Sequence, residues 1–555
     1  MTWQPYDGSA YLDFDAVEAW CRALAAAHPE WVSLVNLGLS RHGRELLLLT
    51  ISRQDTEIGD RPGFWLDGAT HASEWTGVMS ALWSVSRWVE RLVAGDPAER
   101  AWFSEHAVYV LPVISADGYA WTHEGGPFVR STLRPPRDGR PRTGLHPHDV
   151  DGDGETLWMR WRHPTGAYVI DPDHIGGFRL RTLDDDPELA CHILVEGTFL
   201  RWDGAVWKEA AREHGLDLNR NFPGSWQPQS MFGMDAGNHP LSEPESRAVM
   251  DAVTARPRIA CALTNHTFTG ALLTQPYRKD SPLPRTDVRL LELMGKDATK
   301  DTGYRVVRVY PDFMYDPERA IGGVWSDTLA TVLGVPAYTL ELWDAYGYAG
   351  VEVEDFGAFF RDPPQDLIDG LLRAFCAEPG GFVDWRPFEH PQLGPVEIGG
   401  LRNMLTLGNP PLRLLPAECE KGFTVADRLR RALPKVDVQV TAEHAGDDLV
   451  RVVAVAENRG FLPTSGLRHA EGIGVAPPVV LTLQTDGELL DGQKEVDVGW
   501  LDGWGSQHAE GGTQRLHPGL ASRGPRARVA WLVRGGTTVE VRFDAGRGGA
   551  GVARA

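Results

Sequence analysis

Two histidines and a glutamate have the types and spacing of a metal site. His71 and Glu74 follow the apolar segment Phe64–Leu66, in the order His-Ala-Ser-Glu. Residues three apart lie on one side of a helical turn, so both side chains can reach the same ion. His266 follows a second apolar segment, Ile259–Leu263, and two histidines with a glutamate form a ligand set of catalytic zinc. Each motif alone is common, but together they predict one zinc ion held by His71, Glu74 and His266.

Two further polar groups have types that could act beside such an ion. Glu341 lies inside the apolar segment Tyr338–Leu342, where a carboxylate without a partner is costly to bury. A glutamate beside zinc can accept a proton as water attacks a carbonyl. Asn219 and Arg220 belong to a short polar segment, and an arginine fork with an amide donor suits a carboxylate. The residues alone also allow non-functional interpretations. Glu341 could lie on the solvent-exposed face of a strand, and Asn219 and Arg220 could belong to a solvated turn.

The elements that must position these side chains alternate between short apolar segments and helical ones. Such alternation is typical of an α/β layered domain, in which ligands bind at strand ends. A first helix is predicted to start at Asp13 or Asp15 and to end before Pro29. The other predicted helices are Val78–Val93 and Glu243–Ala255, and the predicted strands are Leu46–Ile51, Phe64–Leu66, Val108–Ile114, Ile259–Leu263 and Tyr338–Leu342.

Changes in composition and in the pattern of apolar residues divide the chain into three predicted parts. Residues 1–378 form the catalytic domain, with an insertion at about 131–216 that is rich in Asp, Gly and Pro. Residues 379–434 form a connecting segment with a predicted helix at Val425–Leu433. Residues 435–545 alternate apolar and polar positions between Gly and Asn/Asp turns, which predicts an antiparallel β-sandwich. The glycine-rich last residues are predicted to fray.

Composition and charge exclude several classes of protein. Apolar residues make up 42% and charged residues 24% of the 555 residues, which is typical of a globular chain. The net charge of −21 argues against nucleic-acid binding. The five cysteines are far apart and form no CxxC, so neither a disulfide framework nor a cysteine zinc site is expected. The N-terminal residues have neither the basic nor the apolar region of a secretory signal, and the sequence has no stretch of 18 apolar residues. We therefore expect a cytoplasmic enzyme that does not span a membrane.

In their order along the chain, these motifs resemble those of the zinc metallocarboxypeptidases related to pancreatic carboxypeptidase A. The resemblance covers roughly residues 8–378. It rests on five separate pieces, which are His71-x-x-Glu74, the segment SADGYAWTHEGGPFVR, Asp217-Leu-Asn219-Arg220-Asn221, His266 and Glu341. It implies a carboxypeptidase-like mixed sheet flanked by helices. Together with the insertion and the C-terminal sandwich, it points to a bacterial multi-domain branch of the family.

The resemblance also implies a role for each matching residue. His71, Glu74 and His266 match the zinc ligands, and Glu341 matches the general base that activates the zinc-bound water. Arg130, thirteen residues after Asp117, matches the arginine that stabilises the oxyanion. Asn219 and Arg220 match the pair that holds the terminal carboxylate of the substrate. Asp217 matches the carboxylate that orients a ligand histidine.

Two positions of the family pattern are harder to place. The family spacing before Glu341 puts the active-site tyrosine at Arg319, with Tyr315 and Tyr310 nearby, so the sequence leaves that position open. The side chain that selects the last residue of the substrate is expected at Ser326, with Asp327 beside it. Ser73 stands where pancreatic members have an arginine, which implies the loss of one contact to the substrate.

The insertion contains a second cluster of possible ligands. Asp149, Asp151 and Asp153 alternate with other residues in a glycine-containing loop, and oxygen ligands at every second position suit Ca²⁺. A bidentate glutamate at the EF-hand distance is missing. A calcium site and a plain acidic loop are therefore both open interpretations.

Three functions are compatible with this sequence. The first is a carboxypeptidase that uses one catalytic Zn²⁺ to remove the last residue of a peptide with a free C-terminal carboxylate. The second is a zinc amidase that acts on cell-wall peptides or N-acyl amino acids through the same metal and base. The third is a scaffold whose sandwich domain binds a partner. The pair Asn219 and Arg220 favours the first over the second, and the presence of every ligand and of Glu341 argues against the third. The sequence indicates neither the preferred side chain nor the oligomeric state.

Overall fold

The structure is a computed structural model that describes residues 3–55, 58–135, 142–205, 208–210, 215–228, 230–231, 234–316, 319–510, 523–536 and 538–555. Its helices are α1 (Phe14–Ala27), α2 (Trp75–Val93), α3 (Pro97–Glu105), α4 (Ala116–His123), α5 (Pro244–Thr254), α6 (Arg285–Thr299), α7 (Val309–Asp312), α8 (Trp325–Thr331), α9 (Ala345–Tyr348), α10 (Phe356–Arg361), α11 (Gln365–Ala377), α12 (Leu415–Arg430), α13 (Arg468–Gly472) and α14 (Trp504–Glu510).

The strands occur in four groups along the chain. The first group is β1 (Val32–Leu39), β2 (Glu45–Ile51), β3 (Gly63–Asp67) and β4 (Ala107–Leu111). The second is β5 (Gly144–Pro147), β6 (Trp158–Arg162), β7 (Tyr168–Ile170), β8 (Phe178–Leu180), β9 (Ala190–Val195), β10 (Gly197–Leu200), β11 (Ser230–Met231) and β12 (Met234–Asp235). The third is β13 (Ile259–Thr274), β14 (Arg305–Arg308), β15 (Ala337–Asp344), β16 (Phe382–His390) and β17 (Gly394–Leu401). The fourth is β18 (Val436–Gly446), β19 (Leu449–Asn458), β20 (Val480–Thr485), β21 (Glu488–Asp491), β22 (Glu495–Asp497), β23 (Arg526–Arg534), β24 (Val539–Asp544) and β25 (Ala550–Arg554).

A mixed sheet forms the centre of the catalytic part. Its strands run in the order β1, β2, β4, β3, β13, and both β14 and β15 pair with β13. The pairs β1–β2 and β2–β4 are antiparallel, whereas β3, β4, β13, β14 and β15 are parallel to one another. Helices flank this sheet, so the predicted carboxypeptidase-like α/β class is confirmed. The sheet matters for function because His266 and Glu341 lie within β13 and β15, and because β3 leads into the turn that carries His71 and Glu74.

The local pattern explains where the helices start. Asp13 caps α1, because its carboxylate accepts a hydrogen bond from the backbone N–H of Ala16 at 2.8 Å. The apolar residues of α1 are buried at helical spacing, namely Phe14, Val17, Cys21 and Leu24. The helix predicted from Val78 starts three residues earlier, at Trp75. That difference places Glu74 directly at the first turn of α2.

The insertion and the segment after α11 build a second sheet together. Its order is β16, β17, β6, β9, β7, β8, and all its pairs are antiparallel. Strands β6 to β9 come from the predicted insertion, and β16 and β17 come from the predicted connecting segment. The predicted helix at Val425–Leu433 begins earlier, as α12, which packs along α2. The indole nitrogen of Trp88 donates to Asp427 at 2.9 Å in that contact.

The C-terminal part consists of two antiparallel four-stranded sheets, as the alternating pattern predicts. Their orders are β18, β19, β23, β21 and β22, β20, β24, β25. The prediction that the last residues fray is wrong. Strand β25 pairs with β24 along its length, and the buried guanidinium of Arg547 donates to backbone carbonyls, among them that of Gly334 at 3.1 Å. Glycine content misled the prediction because the ladder partner of β25 is not visible in the local sequence.

The structure also bears on membranes and disulfides. Among the residues described, no helix combines the length and apolar character that crossing a bilayer requires. All five cysteines, each of them in a described segment, are free.

Candidate metal centre and active site

The turn between β3 and α2 carries two of the predicted ligands. Backbone bonds hold this turn, and one runs from Ala72 N to Arg130 O at 2.7 Å. Glycine is required at position 77, because a Cβ there would lie 2.9 Å from the carbonyl oxygen of Asn265. Gly77 thus lets the first turn of α2 approach β13 beside His266.

The side chains of His71, Glu74 and His266 converge. The Nδ1 atom of His71 lies 2.8 Å from a Glu74 carboxylate oxygen, and the Nδ1 atom of His266 lies 2.8 Å from the other. The two Nδ1 atoms are 3.0 Å apart. All three residues are buried, at 3%, 4% and 1% exposure. The predicted ligands therefore come together in one place.

This arrangement fits a zinc ion. Two imidazole nitrogens and a carboxylate are a donor set that zinc prefers, and donor atoms around one ion lie roughly 3 to 3.5 Å apart. The separations within the cluster are close to that range. Burial raises the pKa of Glu74, but the positive charges of His71 and His266 outweigh it, so the pKa lies below its usual value. The site therefore favours an ionised carboxylate, which a metal ligand must be.

Two charged neighbours surround the ligand cluster. A carboxylate oxygen of Asp217 lies 3.3 Å from His71 Nε2, the ring nitrogen that faces away from the cluster. Arg130 donates to Glu74 at 3.2 Å, and its Nε lies 3.7 Å from Asp217. Asp217 is thus placed to fix the tautomer of His71. Arg130 provides a positive charge at the edge of the cluster.

Glu341 lies next to the ligands on the neighbouring strand. In the register of β13 and β15, His266 pairs with Glu341. Burial and the negative charge of Glu74 raise the pKa of Glu341 well above its usual value, against the lowering effect of Arg130. A carboxylate with a raised pKa is suited to accept and release a proton near neutral pH.

One of the tyrosines near the expected position, Tyr315, lies close to the charged groups of the site. Arg319, reached by the family spacing, is exposed. Burial raises the pKa of Tyr315 to about 12, and the charges of Glu341, Arg130 and Arg220 also act on it. The Tyr315 hydroxyl therefore lies among the charged groups of the site. The length of the preceding loop hid this position from a count of residues.

Asn219 and Arg220 form a short 3-10 turn beside the cluster. The Asn219 side-chain oxygen accepts a hydrogen bond from Trp325 N at 2.9 Å. Arg220 is 5% exposed and donates to the carbonyl of Asn219 at 2.7 Å. Its Nε is buried without a hydrogen-bond partner among the described residues. Arg220 therefore keeps donor capacity that a carboxylate can use.

Ser326 lies in a buried cluster of hydroxyl groups at the start of α8. Its hydroxyl is 2.7 Å from the Tyr277 hydroxyl and 2.8 Å from the Thr339 hydroxyl. Thr339 lies two residues before Glu341, on the same face of β15. The neighbouring Asp327 accepts a hydrogen bond from Gln275 at 3.0 Å, and burial raises its pKa to about 6.

The structure does not support calcium at the acidic loop. Asp149, Asp151 and Asp153 do come within ligand distance of one another. However, Arg386 pairs with both Asp151 and Asp153. Asp149 accepts backbone N–H bonds from the loop, one of them from Gly154 at 2.8 Å. The charge and donors of the chain itself therefore satisfy this loop.

Comparisons with known proteins agree with this geometry. The zinc carboxypeptidase family model matches residues 17–352, which is more than half of the chain, and the model of a domain of unknown function matches residues 436–554. Carboxypeptidase B of Helicoverpa zea is 29% identical over 388 residues, which are 67% of this chain and 71% of that protein.

Other similarities cover less of the molecules or are weaker. Carboxypeptidase B of Astacus astacus is 32% identical over 126 residues, 23% of this chain, and the chain spans only 39% of that relative. The crystal structure of carboxypeptidase A from Helicoverpa armigera has a TM-score of 0.40 at 19% identity, and the match covers 67% of this chain and 75% of that chain.

Proposed function

The chain belongs to the zinc carboxypeptidase family of hydrolases, and on that premise we propose that it removes the C-terminal residue of peptides that have a free carboxylate. The observation that carries the proposal is the convergence of His71, Glu74 and His266, with Glu341 in register with His266 on the adjacent strand.

His71, Glu74 and His266 hold the metal in this proposal. A zinc ion with three protein ligands and one open position supplies Lewis acidity for a carbonyl oxygen and for water. Asp217 accepts the hydrogen from His71 Nε2 and so leaves Nδ1 free to bind the metal. The two histidines and the glutamate thereby keep the protonation states that metal binding requires.

Proton transfer belongs to Glu341. Its carboxylate takes a proton from the attacking water and passes it to the nitrogen of the leaving amino acid. The raised pKa of Glu341 keeps the energy of the proton-bearing carboxyl low enough for this exchange. Arg130, which reaches Glu74 at 3.2 Å, donates to the oxygen that becomes negative as the carbonyl is attacked. Tyr315, among the same charges, is placed to donate a further hydrogen bond to the substrate.

Arg220 and Asn219 bind the terminal carboxylate. The Nε donor of the buried Arg220 has no hydrogen-bond partner among the described residues, and an arginine fork favours a bidentate contact to a carboxylate. The side chain of the last residue then reaches the hydroxyl cluster of Ser326, Tyr277 and Thr339. These hydroxyls and the nearby Asp327 make its surroundings polar, so a polar or basic side chain fits there better than an aliphatic one.

Hydrolysis of paired peptides tests the proposal. Each pair has one sequence with either a free or an amidated C-terminus, and each is offered to the zinc-loaded protein and to Arg220→Ala. The free acid is expected to be cleaved at its last bond, and the variant is expected to lose about 30-fold or more in kcat/KM. Arg534→Ala, which removes an exposed arginine paired with the exposed Glu488 at 3.2 Å, is the matched control and should cleave normally.

Two other results would redirect the proposal. Equal cleavage of amidated and free peptides, unaffected by Arg220→Ala, would contradict recognition of the carboxylate and favour the zinc amidase. Cleavage at internal bonds would contradict an exopeptidase.

A further inference from the structure

A large cavity lies beside the metal centre, between the segment before Arg130 and the second sheet. Its volume is about 580 Å³. Its walls are mostly apolar. They include the aromatic rings of Trp75, Trp121, Phe128 and Trp158 and the aliphatic side chains of Leu157 and Met404. The ring of Trp75 is stacked on His123 with centroids 3.9 Å apart, which gives this wall a fixed shape. Apolar, preformed cavities of this size are typical ligand sites.

The position of the cavity indicates which ligand it takes. Trp75 directly follows the ligand Glu74, and Val129, another wall residue, directly precedes Arg130. The described wall residues include none from the Asn219–Arg220 turn or from α8. The cavity thus adjoins the segments of Glu74 and Arg130 and is separate from Ser326, which is what a site for the upstream part of a peptide requires.

We propose that this cavity binds apolar or aromatic side chains of the substrate upstream of the scissile bond. The inference rests on the proposed function and adds the substrate class. Strands β6 and β9 and the end of β17 supply part of the wall, which gives the second sheet a role in substrate selection. Burial of one such side chain contributes roughly 1.5–3 kcal/mol, or about 10- to 100-fold in kcat/KM.

Substrates of two lengths test this site. Peptides with leucine or phenylalanine upstream of the scissile bond are compared with peptides that have serine there. A blocked dipeptide with glycine at that position is the substrate that offers the cavity no side chain. The wild type should prefer the apolar peptides by about 10-fold or more. Met404→Trp, which fills the cavity, should abolish that preference, so that kcat/KM for the apolar peptides falls about 10-fold or more relative to that for the dipeptide. The control is Leu183→Trp, which adds the same side chain at a fully exposed position of the insertion, outside the cavity wall.

The outcomes separate the two levels of the proposal. Hydrolysis of all substrates without an apolar preference would contradict the cavity site alone. A preference that survives Met404→Trp would contradict it as well. Inactivity of the zinc-loaded protein on every substrate would contradict the proposed function together with the inference that rests on it.

A second, independent inference concerns Asn409, which lies outside the segment that matches the family model. Asn409 is fully buried. Its side-chain oxygen accepts hydrogen bonds from the backbone N–H and the hydroxyl of Thr76, both at 2.9 Å. Its amide nitrogen donates to the carbonyls of Ser73 and Met404, also at 2.9 Å. Asn409 thus contacts the chain on both sides of Glu74.

These bonds solve a capping problem that the metal site creates. Glu74 occupies the cap position of α2 but makes no capping bond with its side chain, because its carboxylate faces the two histidines. The N–H groups of the first helical turn lack partners within the helix. Asn409 accepts from the N–H of Thr76, two residues after the cap position, as a capping side chain would.

We propose that Asn409 is a positioning residue for the metal ligand Glu74, and that it caps α2 from a distant part of the chain. The distance in sequence is 333 residues. Because Glu74 is relieved of capping, its carboxylate can keep the orientation that the ion requires. Loss of such a supporting contact costs about 10- to 100-fold in metal affinity.

Zinc affinity, measured by competition with a chelator, tests this role without any assay of activity. Asn409→Ala should weaken zinc binding about 10- to 100-fold. Asn409→Asp keeps the oxygen that accepts from Thr76 and should recover part of the affinity. The matched control is Asn458→Ala in the sandwich, because Asn458 is also buried and bonded to the backbone, at Leu462 (2.9 Å) and Gly460 (3.0 Å).

The thermal midpoint of each variant is measured in parallel. Both alanine variants should lower it, but only Asn409→Ala should change zinc affinity. Wild-type zinc affinity in Asn409→Ala, or an equal loss in Asn458→Ala, would overturn the positioning role.

Discussion

Two clusters of three possible metal ligands stand out among the residues that the structure describes, and they differ in burial and in partners. His71, Glu74 and His266 come from two distant segments, are buried, and direct their donor atoms toward one another. The acidic loop of Asp149, Asp151 and Asp153 comes from one short segment and is partly exposed.

The difference lies in what neutralises each cluster. In the acidic loop, Arg386 forms ion pairs with two of the carboxylates, and backbone N–H groups donate hydrogen bonds to the third, that of Asp149. In the buried cluster, Arg130 approaches from one edge, and the ligand nitrogens face each other at 3.0 Å. A cluster of donors therefore indicates a metal site when the fold leaves its donor atoms facing one another, and proximity in sequence is a weaker guide.

The largest effect should come from removal of a buried ligand. His266→Ala leaves two ligands for the ion, and we expect zinc affinity to fall at least about 1,000-fold. Asp151→Ala should leave zinc affinity at the wild-type level. Metal content after dialysis against a weak chelator measures both. Equal zinc retention by His266→Ala and the wild type would remove the distinction between the two clusters.

The arginines of the two clusters provide the next contrast. Arg130→Ala should lower kcat by about 100- to 1,000-fold, because the developing oxyanion loses a donor, while zinc remains bound. Arg386→Ala should leave kcat unchanged, since its guanidinium only neutralises the acidic loop. Steady-state kinetics with zinc-loaded proteins distinguish these outcomes. An equal fall in kcat in both variants would indicate a general loss of structure.

Buried and exposed carboxylates should also differ in the pH dependence of stability. Burial raises the pKa of Asp67 to about 6, although its carboxylate accepts from the indoles of Trp65 (2.7 Å) and Trp325 (2.8 Å). Below about pH 4, Asp67 is protonated in both the folded and the unfolded protein. Above about pH 6 it is ionised in both, and its buried charge destabilises the folded protein. Its contribution to stability is thus lost as the pH rises through this window.

Asp67→Asn removes this titration, and its amide can keep both indole bonds. Its stability relative to the wild type should therefore increase from pH 4.5 to pH 7, by at most about 3 kcal/mol. Urea unfolding at three pH values measures the change. Asp149→Asn should show the opposite trend, because backbone N–H bonds outweigh desolvation and lower the pKa of Asp149. A flat difference for Asp67→Asn would show that its pKa is not raised.

The smallest of these effects should come from Asp217. Asp217→Asn keeps the shape of the side chain but can present an N–H to His71 Nε2 at the 3.3 Å contact. The wrong tautomer of His71 is then favoured, and we expect zinc affinity to fall about 10- to 100-fold. Chelator competition measures it, with Asp153→Asn as the control in the acidic loop. An unchanged affinity would mean that Asp217 does not orient His71.

Much of the fold and of the site could be predicted because the relevant signals are local. His71 and His266 follow apolar strands, and Glu341 interrupts one. Strand ends of a parallel sheet meet at one edge, so such residues are brought together. The mixed α/β sheet and the antiparallel C-terminal sheets follow from the same periodicities.

Other features depend on contacts that no local pattern records. Tyr315 was hidden by the length of its loop, and Asn409 meets Thr76 across 333 residues. The joint sheet of β6 to β9 with β16 and β17 needs pairing between segments that are far apart. The last strand, β25, is stabilised by its partner β24, although its own composition predicted fraying.

Glu341→Gln, assayed for zinc content and for release of the C-terminal residue in the same preparation, tests the central claim most directly. The substitution keeps the size of the side chain and removes its ability to accept a proton. We predict that the variant retains zinc as the wild type does and loses hydrolysis by at least about 100-fold. Hydrolysis at the wild-type rate in the zinc-loaded variant would contradict the role of Glu341 as the base.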